Sequence, residues 1–184
     1  MKDRNRRLST PLVVALLLLA VAFPSWGADS PWSAWSFLLG EWEGTGSGAP
    51  GAAKGSFTFA LDLQDTILVR RNHNEIPGVD KVPGIVHDDL LVCYRDPAGK
   101  TRADYYDNEG HVIRYAVTTG ADGRSWVFVS DVEPGQPGFR LTYSRKDDGT
   151  LGIRFEVAPP GHPKDFRIYL EGSAVKKGAA PAHP

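Results

Sequence analysis

The sequence predicts an all-β protein: an antiparallel up-and-down β-barrel of about ten strands, with a short N-terminal helix capping one end. Two observations and one physical argument lead to this prediction. Beyond residue 40, apolar and polar residues alternate in one segment after another, which is the period of strands with one buried face. Short turns rich in Gly, Asp and Pro separate the segments. Closing such a meander into a barrel removes its two edge strands, which would otherwise invite aggregation.

The predicted helix is a short aromatic segment that precedes the first strand. Pro31 suits the first position of a helix, and Gly40 would end it. Trp32, Trp35 and Leu39 recur three and four residues apart, so they would share one face. In a barrel protein, a helix with such a face is expected to cover an open end.

The motif Gly40-Glu41-Trp42 begins the first predicted strand. Glycine allows the chain to turn into the barrel, and the large indole of Trp42 would plug the end that the helix covers. We expect a basic side chain from the last strand, such as Arg167, to stack on this indole. The motif is therefore interpreted as a structural plug, and any functional residues are expected on other strands.

Residues 1–27 predict a secretory signal peptide. Basic residues open the chain, residues 11–23 form an apolar run, and Ser25 and Gly27 supply small residues before a cut after Gly27. An uncleaved N-terminal anchor is the alternative. The pair Arg6-Arg7 leaves the twin-arginine route open, although the general secretory route is favoured. The prediction is a periplasmic or secreted protein with one barrel domain over 28–177 and a disordered tail over 178–184.

Charge and cysteine content exclude some classes of partner and of stabilisation. Removing residues 1–27 takes away four basic residues and one acidic residue. It leaves 17 basic and 21 acidic side chains and a formal net charge of −4. We therefore expect neither nucleic acid nor, after signal cleavage, a membrane as partner, because both require a concentrated basic patch. Cys93 is the single cysteine, so no intramolecular disulfide can form and the core must supply the stability.

Three segments carry a resemblance to known proteins. The stretch 38–46 (LLGEWEGTG) resembles the opening of calycin-type barrels. Together with the segments 94–97 followed by 105–110, and 141–151, it is similar to a bacterial lipocalin-like family of unknown function and to its relatives, the nitrobindins. This resemblance implies a ten-stranded antiparallel barrel around an internal cavity, and it covers residues 36 to about 177.

The resemblance also raises the question of a cofactor. Nitrobindins bind ferric haem through a histidine on the last strand. The last predicted strand here, 165–175, contains no histidine, and Tyr169 is its only plausible axial ligand. The prediction is therefore that no cofactor is bound, with haem on Tyr169 kept as the alternative.

Candidate ligand-binding residues follow from the two-residue period of strands. If Val69 faces the barrel interior, then Arg71 and His73 do too, and by the same rule His111 shares a face with Tyr115. Arg71 could then hold a carboxylate head group through two parallel hydrogen bonds. The competing interpretation places these side chains at the barrel rim, in water. The candidate residues are Arg71, His73, Tyr106, His111, Tyr115 and Tyr143.

Motifs for catalysis and metal binding are absent from the sequence. No nucleophile elbow, phosphate loop or dinucleotide fingerprint occurs, and no pair of histidines has the spacing of a known metal motif. The adjacent carboxylates Asp88 and Asp89 would point to opposite faces of a strand, so they cannot share acid–base work. His87 and Asp89 would instead share a face with Cys93. No catalytic or metal-ligating residue is therefore predicted.

These observations favour a barrel that binds a small apolar or amphipathic molecule in its interior. Two alternatives stay open. One is a hydrolase or isomerase that uses His73 or His111 as a general base, which requires an inward histidine beside a carboxylate. The other is an envelope interaction domain whose barrel is filled. A solid core would favour this last alternative, and its predicted members are Phe57, Phe59, Phe128, Leu141 and Phe155.

Overall fold

A computed structural model describes residues 30–45, 54–78 and 83–178. The predicted signal peptide, the Gly-rich and Pro-rich loop at 46–53 and most of the predicted tail lie outside the described residues. Within the described ranges, no helix is long and apolar enough to cross a membrane.

Ten antiparallel strands close into one barrel, as the sequence predicts. Each strand pairs with its neighbours in the chain, and β1 pairs with β10 to close the sheet. The strands are β1 (Gly40–Thr45), β2 (Lys54–Asp62), β3 (Ile67–Ile76), β4 (Ile85–Arg95), β5 (Thr101–Asp107), β6 (Val112–Thr119), β7 (Ser125–Ser130), β8 (Gly138–Arg145), β9 (Leu151–Ala158) and β10 (Arg167–Lys176).

The up-and-down order gives the barrel two distinct ends. All odd-numbered strands start at the end where residues 30–39 enter the fold, and this is called the closed end below. Four tight turns lie there, at 63–66, 96–100, 120–124 and 146–150. The opposite end, called the open end, carries residues 77–78 and 83–84 and the connections at 108–111, 131–137 and 159–166.

Residues 30–39 cover the closed end, but not as the predicted helix. The segment is a series of turns with a single 3-10 turn at Ser33–Trp35. The indole of Trp42 donates a hydrogen bond of 2.7 Å to the carbonyl oxygen of Leu38, which fastens the segment to β1. Tertiary packing of the aromatic side chains therefore decides the path of this segment, and its helical spacing does not.

Aromatic rings and cations seal the closed end. Trp42 is fully buried, its ring centroid 6.3 Å from that of Phe57 and 5.4 Å from that of Phe37. The ammonium group of Lys176 lies 5.5 Å from the Trp42 ring centroid, within the range of a cation–π contact. Trp42 is thus a plug, as predicted, but the prediction of Arg167 as its cation is wrong. Arg167 begins β10 at the open end and pairs with Val157.

The half of the interior next to the closed end is packed with side chains. Phe57, Phe59 and Phe128 are buried, and their rings meet the ring of Tyr143 with centroids 5.4–6.2 Å apart. Leu141 belongs to the same buried cluster, whereas Phe155 is only partly buried against it. The filled core expected for a ligandless barrel is therefore present in this half. In the open half, inward side chains such as Phe139 and Phe155 keep part of their surface exposed.

Candidate functional site

The register of β2 and β3 decides which residues of β3 face inward. Phe59 pairs with Arg70, and Phe57 pairs with Asn72. Because both phenylalanines belong to the core and directly paired residues share a face, Arg70 and Asn72 point into the barrel. Arg71 consequently lies on the outer face, and the prediction that it faces the interior is wrong.

The other candidate residues fall into three places. His73 lies on the outer face beside Arg71, and Tyr106, 42% exposed, is also outside because it pairs with Val112 on the outer side of β6. His111 stands at the rim of the open end. Only Tyr115 and Tyr143 lie in the interior, where both are buried. The structure therefore does not bring the six candidate residues together.

A different polar group occupies the interior, with Arg70 at its base. The Arg70 guanidinium is buried and donates hydrogen bonds to the hydroxyl of Tyr143 and to a carboxylate oxygen of Asp89. Burial opposes the charge, but Tyr143 and Asp89 outweigh burial and raise the pKa of Arg70, so the group stays protonated. Its Nε atom is buried and has no hydrogen-bond partner among the described residues.

Asp89 links Arg70 to the open end. Its second carboxylate oxygen accepts a hydrogen bond of 2.8 Å from the Asn72 side chain and lies 3.4 Å from Nε2 of His87. The Asp89 side chain is only 4% exposed, whereas that of His87 is 24% exposed. His87 and Asp89 share the inward face of β4, as predicted, and Asp88 points outward. The polar chain therefore runs from a buried base to a solvent-accessible imidazole.

The chain continues onto β5 and the rim. The Tyr105 hydroxyl lies 3.2 Å from His87 Nε2 and donates a hydrogen bond of 3.2 Å to Asp107. Asp107 in turn accepts hydrogen bonds from the backbone N–H groups of Glu109 and His111 and lies 2.9 Å from the His111 imidazole. Burial would raise the pKa of the Asp107 carboxyl, but the hydrogen bonds from His111 and Glu109 outweigh it and lower this pKa.

The rim thus contains a histidine beside a carboxylate, but the enzyme alternative requires an inward one, and neither His73 on the outer face nor His111 at the rim is inward. Glu109 lies 2.9 Å from Nδ1 of His87, so a second imidazole at the rim is also paired with a carboxylate. We define the mouth polar chain by its members, which are Arg70, Asn72, His87, Asp89, Tyr105, Asp107, Glu109 and His111.

An apolar wall faces the mouth polar chain across the barrel. In the closed sheet, β8 to β10 lie opposite β3 to β5. Phe139 and Phe155 are partly buried and stacked, with centroids 5.9 Å apart. Leu170 pairs with Phe155 and faces the same interior, and Ile113 extends the apolar surface from β6. The inward face of the open half therefore has one polar and one apolar side.

Tyr169, the candidate haem ligand, lies at the edge of this space. A register irregularity between Ile168 and Leu170 places Tyr169 at a β-bulge. Its ring packs edge-to-face with the ring of Phe155, with the two centroids 6.0 Å apart. Its side chain is 64% exposed, so it stands in solvent at the rim and not beneath an enclosed pocket. The residues of the last strand therefore do not fit a haem held in the manner of nitrobindins.

The outer face carries a polar cluster around two of the candidate residues, Arg71 and His73. A groove of about 390 Å³ on β2 to β4 is bordered by Arg71, His73 and Asp88 and also by Asn72 and Asp89 of the mouth polar chain. The imidazole of His73 lies 2.6 Å from Asp88, and this contact raises the pKa of His73. Within the described residues, no group of three or more His, Cys, Asp or Glu side chains is arranged to hold a metal ion.

The closed ten-stranded antiparallel barrel fits a calycin-like fold in general. No model of a known protein family matches the chain, and no curated protein sequence matches it either.

Proposed function

We propose that this protein is an exported, lipocalin-like barrel that binds a small apolar or amphipathic molecule in its open half. The observation that supports the proposal most strongly is the mouth polar chain, which lies opposite a partly exposed apolar wall. Small-molecule sites in proteins combine these two elements: a mostly apolar concave surface and a few placed polar groups that fix orientation. Export rests on the predicted signal peptide.

Packing limits where the ligand would bind. The closed half is filled, so the ligand would rest on top of the aromatic layer formed by Phe59, Tyr143 and Phe128. Its apolar part would cover Phe139 and Phe155, which remain partly exposed in the structure. Burying such surface contributes about 25 cal/mol per Å². The polar end of the ligand would then face the accessible members of the mouth polar chain.

A fluorescent apolar probe tests this proposal. N-phenylnaphthylamine is neutral, and its emission rises when it leaves water. We expect saturable binding by the wild-type protein and a loss of at least about tenfold in affinity for Ile113→Trp, because the new indole would fill the mouth from β6. Ten-fold corresponds to about 1.4 kcal/mol.

The matched control is Val112→Trp on the same strand. Val112 is 63% exposed and lies on the outer face, so this variant adds the same ring without entering the barrel. We expect it to bind the probe as the wild-type protein does. Absence of saturable binding by the wild-type protein, or equal affinity in the Ile113→Trp variant, would overturn the proposal.

A further inference from the structure

The charges of the open half indicate which polar head group it accepts. On the basis of the proposed function above, we infer that the site selects ligands whose head group donates hydrogen bonds, above all a primary ammonium group, and disfavours carboxylates. This is the opposite of the carboxylate ligand that an accessible interior arginine would suggest.

The interior arginine, Arg70, is not free to bind a ligand carboxylate. Arg70 is the inward cation of β3, but its charge is already balanced by Asp89, and Tyr143 occupies a further donor. It is also buried at the base of the polar chain, beneath Asn72 and Asp89. Two of its five N–H groups donate to Tyr143 and Asp89, and burial keeps the other three away from a head group at the mouth. A ligand carboxylate therefore gains no free arginine here.

The mouth polar chain carries more negative than positive charge. One arginine, Arg70, stands with three carboxylates: Asp89, Asp107 and Glu109. With neutral imidazoles the carboxylates of this chain exceed its cation by two, and Arg167, which pairs with Val157 on the opposite wall, reduces the excess at the mouth to one. Charges interact more strongly in a partly buried site than in bulk water. A carboxylate head group would therefore enter an unfavourable potential, and an ammonium group a favourable one.

A ligand can reach only some members of the mouth polar chain. Asp89 and Asp107 are each only 4% exposed, so they influence a ligand through the electrostatic potential and not by direct contact. Glu109 is 50% exposed at the rim and is accessible to a direct contact, as is the partly exposed hydroxyl of Tyr105. Both can accept a hydrogen bond from an ammonium or hydroxyl group. The reachable surface of the mouth is thus rich in acceptors.

Three ligands with the same alkyl chain test the inference: octylamine, octanol and octanoate. Their affinities are measured by NMR titration of the wild-type protein at pH about 8, where histidines with ordinary pKa values are neutral. We expect octylamine to bind about tenfold more tightly than octanoate, with octanol between them. Glu109→Gln should reduce the difference to about threefold, because it removes the accessible carboxylate and leaves the buried ones.

Glu43→Gln is the control for general electrostatic attraction. It makes the same change of charge on the outer face of β1, where Glu43 is exposed, and should leave the tenfold difference unchanged. Octanoate binding as tightly as octylamine, or an equal effect of the two substitutions, would overturn the head-group inference alone. It would also be overturned if the protein bound N-phenylnaphthylamine but none of the three octyl ligands. If the neutral probe fails as well, the proposed function itself is wrong.

Discussion

The two ends of the barrel use the same strands for different purposes. At the closed end, Trp42 and Trp126 are buried beneath residues 30–39. Cations lie over two aromatic rings there: Lys176 lies over Trp42, and the Arg145 guanidinium lies 4.6 Å from the ring centroid of Phe37. At the open end, the inward side chains of β3 to β5 are polar and those of β8 to β10 are apolar, and several of both kinds keep part of their surface in water. One end therefore stabilises the fold, while the other offers surface to a ligand.

The difference develops along individual strands. On β4 the inward residues change from Cys93 and Leu91 to Asp89 and His87 as the strand approaches the open end. On β3 they change in the same direction, from apolar to polar. On β8, by contrast, every inward residue from Tyr143 to Phe139 is aromatic or aliphatic. The polar side of the mouth therefore comes from a gradient on β3 to β5 that the opposite strands lack.

The largest effect is expected at the plug. Trp42→Ala would remove a fully buried indole and its hydrogen bond to Leu38, and we expect it to lower the free energy of unfolding by about 4 kcal/mol. Urea unfolding measures this loss. The control, Glu43→Ala, changes the neighbouring outward residue and should cost at most about 0.5 kcal/mol. A loss well under 1 kcal/mol for Trp42→Ala would contradict the plug.

A smaller loss, about 3 kcal/mol, is expected for Arg70→Leu, because Asp89 would stay buried without its counter-ion. The double variant Arg70→Leu/Asp89→Leu should recover most of this stability, since no unpaired charge remains. Arg71→Leu is the control on the outer face and should change the free energy of unfolding by at most about 0.5 kcal/mol. Equal losses for the two arginine variants would show that the inward and outward faces of β3 are assigned wrongly.

The smallest effect is expected at the rim and depends on pH. Asp107→Asn should cost about 1 kcal/mol at neutral pH, because the carboxylate accepts hydrogen bonds from the His111 and Glu109 backbone N–H groups. The folded-state pKa of Asp107 is below its ordinary value of 3.8, so this stabilisation is present above that value and is lost as the pH falls through the folded-state pKa. Unfolding free energies of the two proteins should therefore converge in acid. A constant difference down to the lowest pH measured would contradict this role.

Part of the site could be predicted from the sequence, and the turn between β2 and β3 shows how. A two-residue turn at Gln64-Asp65 pairs Phe59 with Arg70, so the face of Phe59 identifies the inward arginine. Strand β3 alone is ambiguous, because Leu68 and Val69 are both apolar and both buried. The common face of His87 and Asp89 followed from strand periodicity and is confirmed.

The rest depends on contacts that no local pattern contains. Arg70 meets Tyr143 across the interior, although the two are 73 residues apart in the chain. Asn72 and Tyr105 were missed for the same reason: their polar partners lie on other strands. The bulge that moves Tyr169 to the rim is likewise a property of the β9 and β10 pairing, and the alternation of β10 gives no sign of it. The alternation of side chains predicted the barrel, but the site required the register.

The most direct test of the division between the two ends is an NMR titration of the wild-type protein with octanol. Every tryptophan among the described residues belongs to the closed-end core, whereas His87 and His111 lie at the open end. We expect octanol to shift the imidazole signals of these histidines and the backbone amide signals of Ile113 and Leu170. The indole N–H signals of Trp42 and Trp126 should stay in place. Shifts of those indole signals with unchanged signals at the open end would contradict this division.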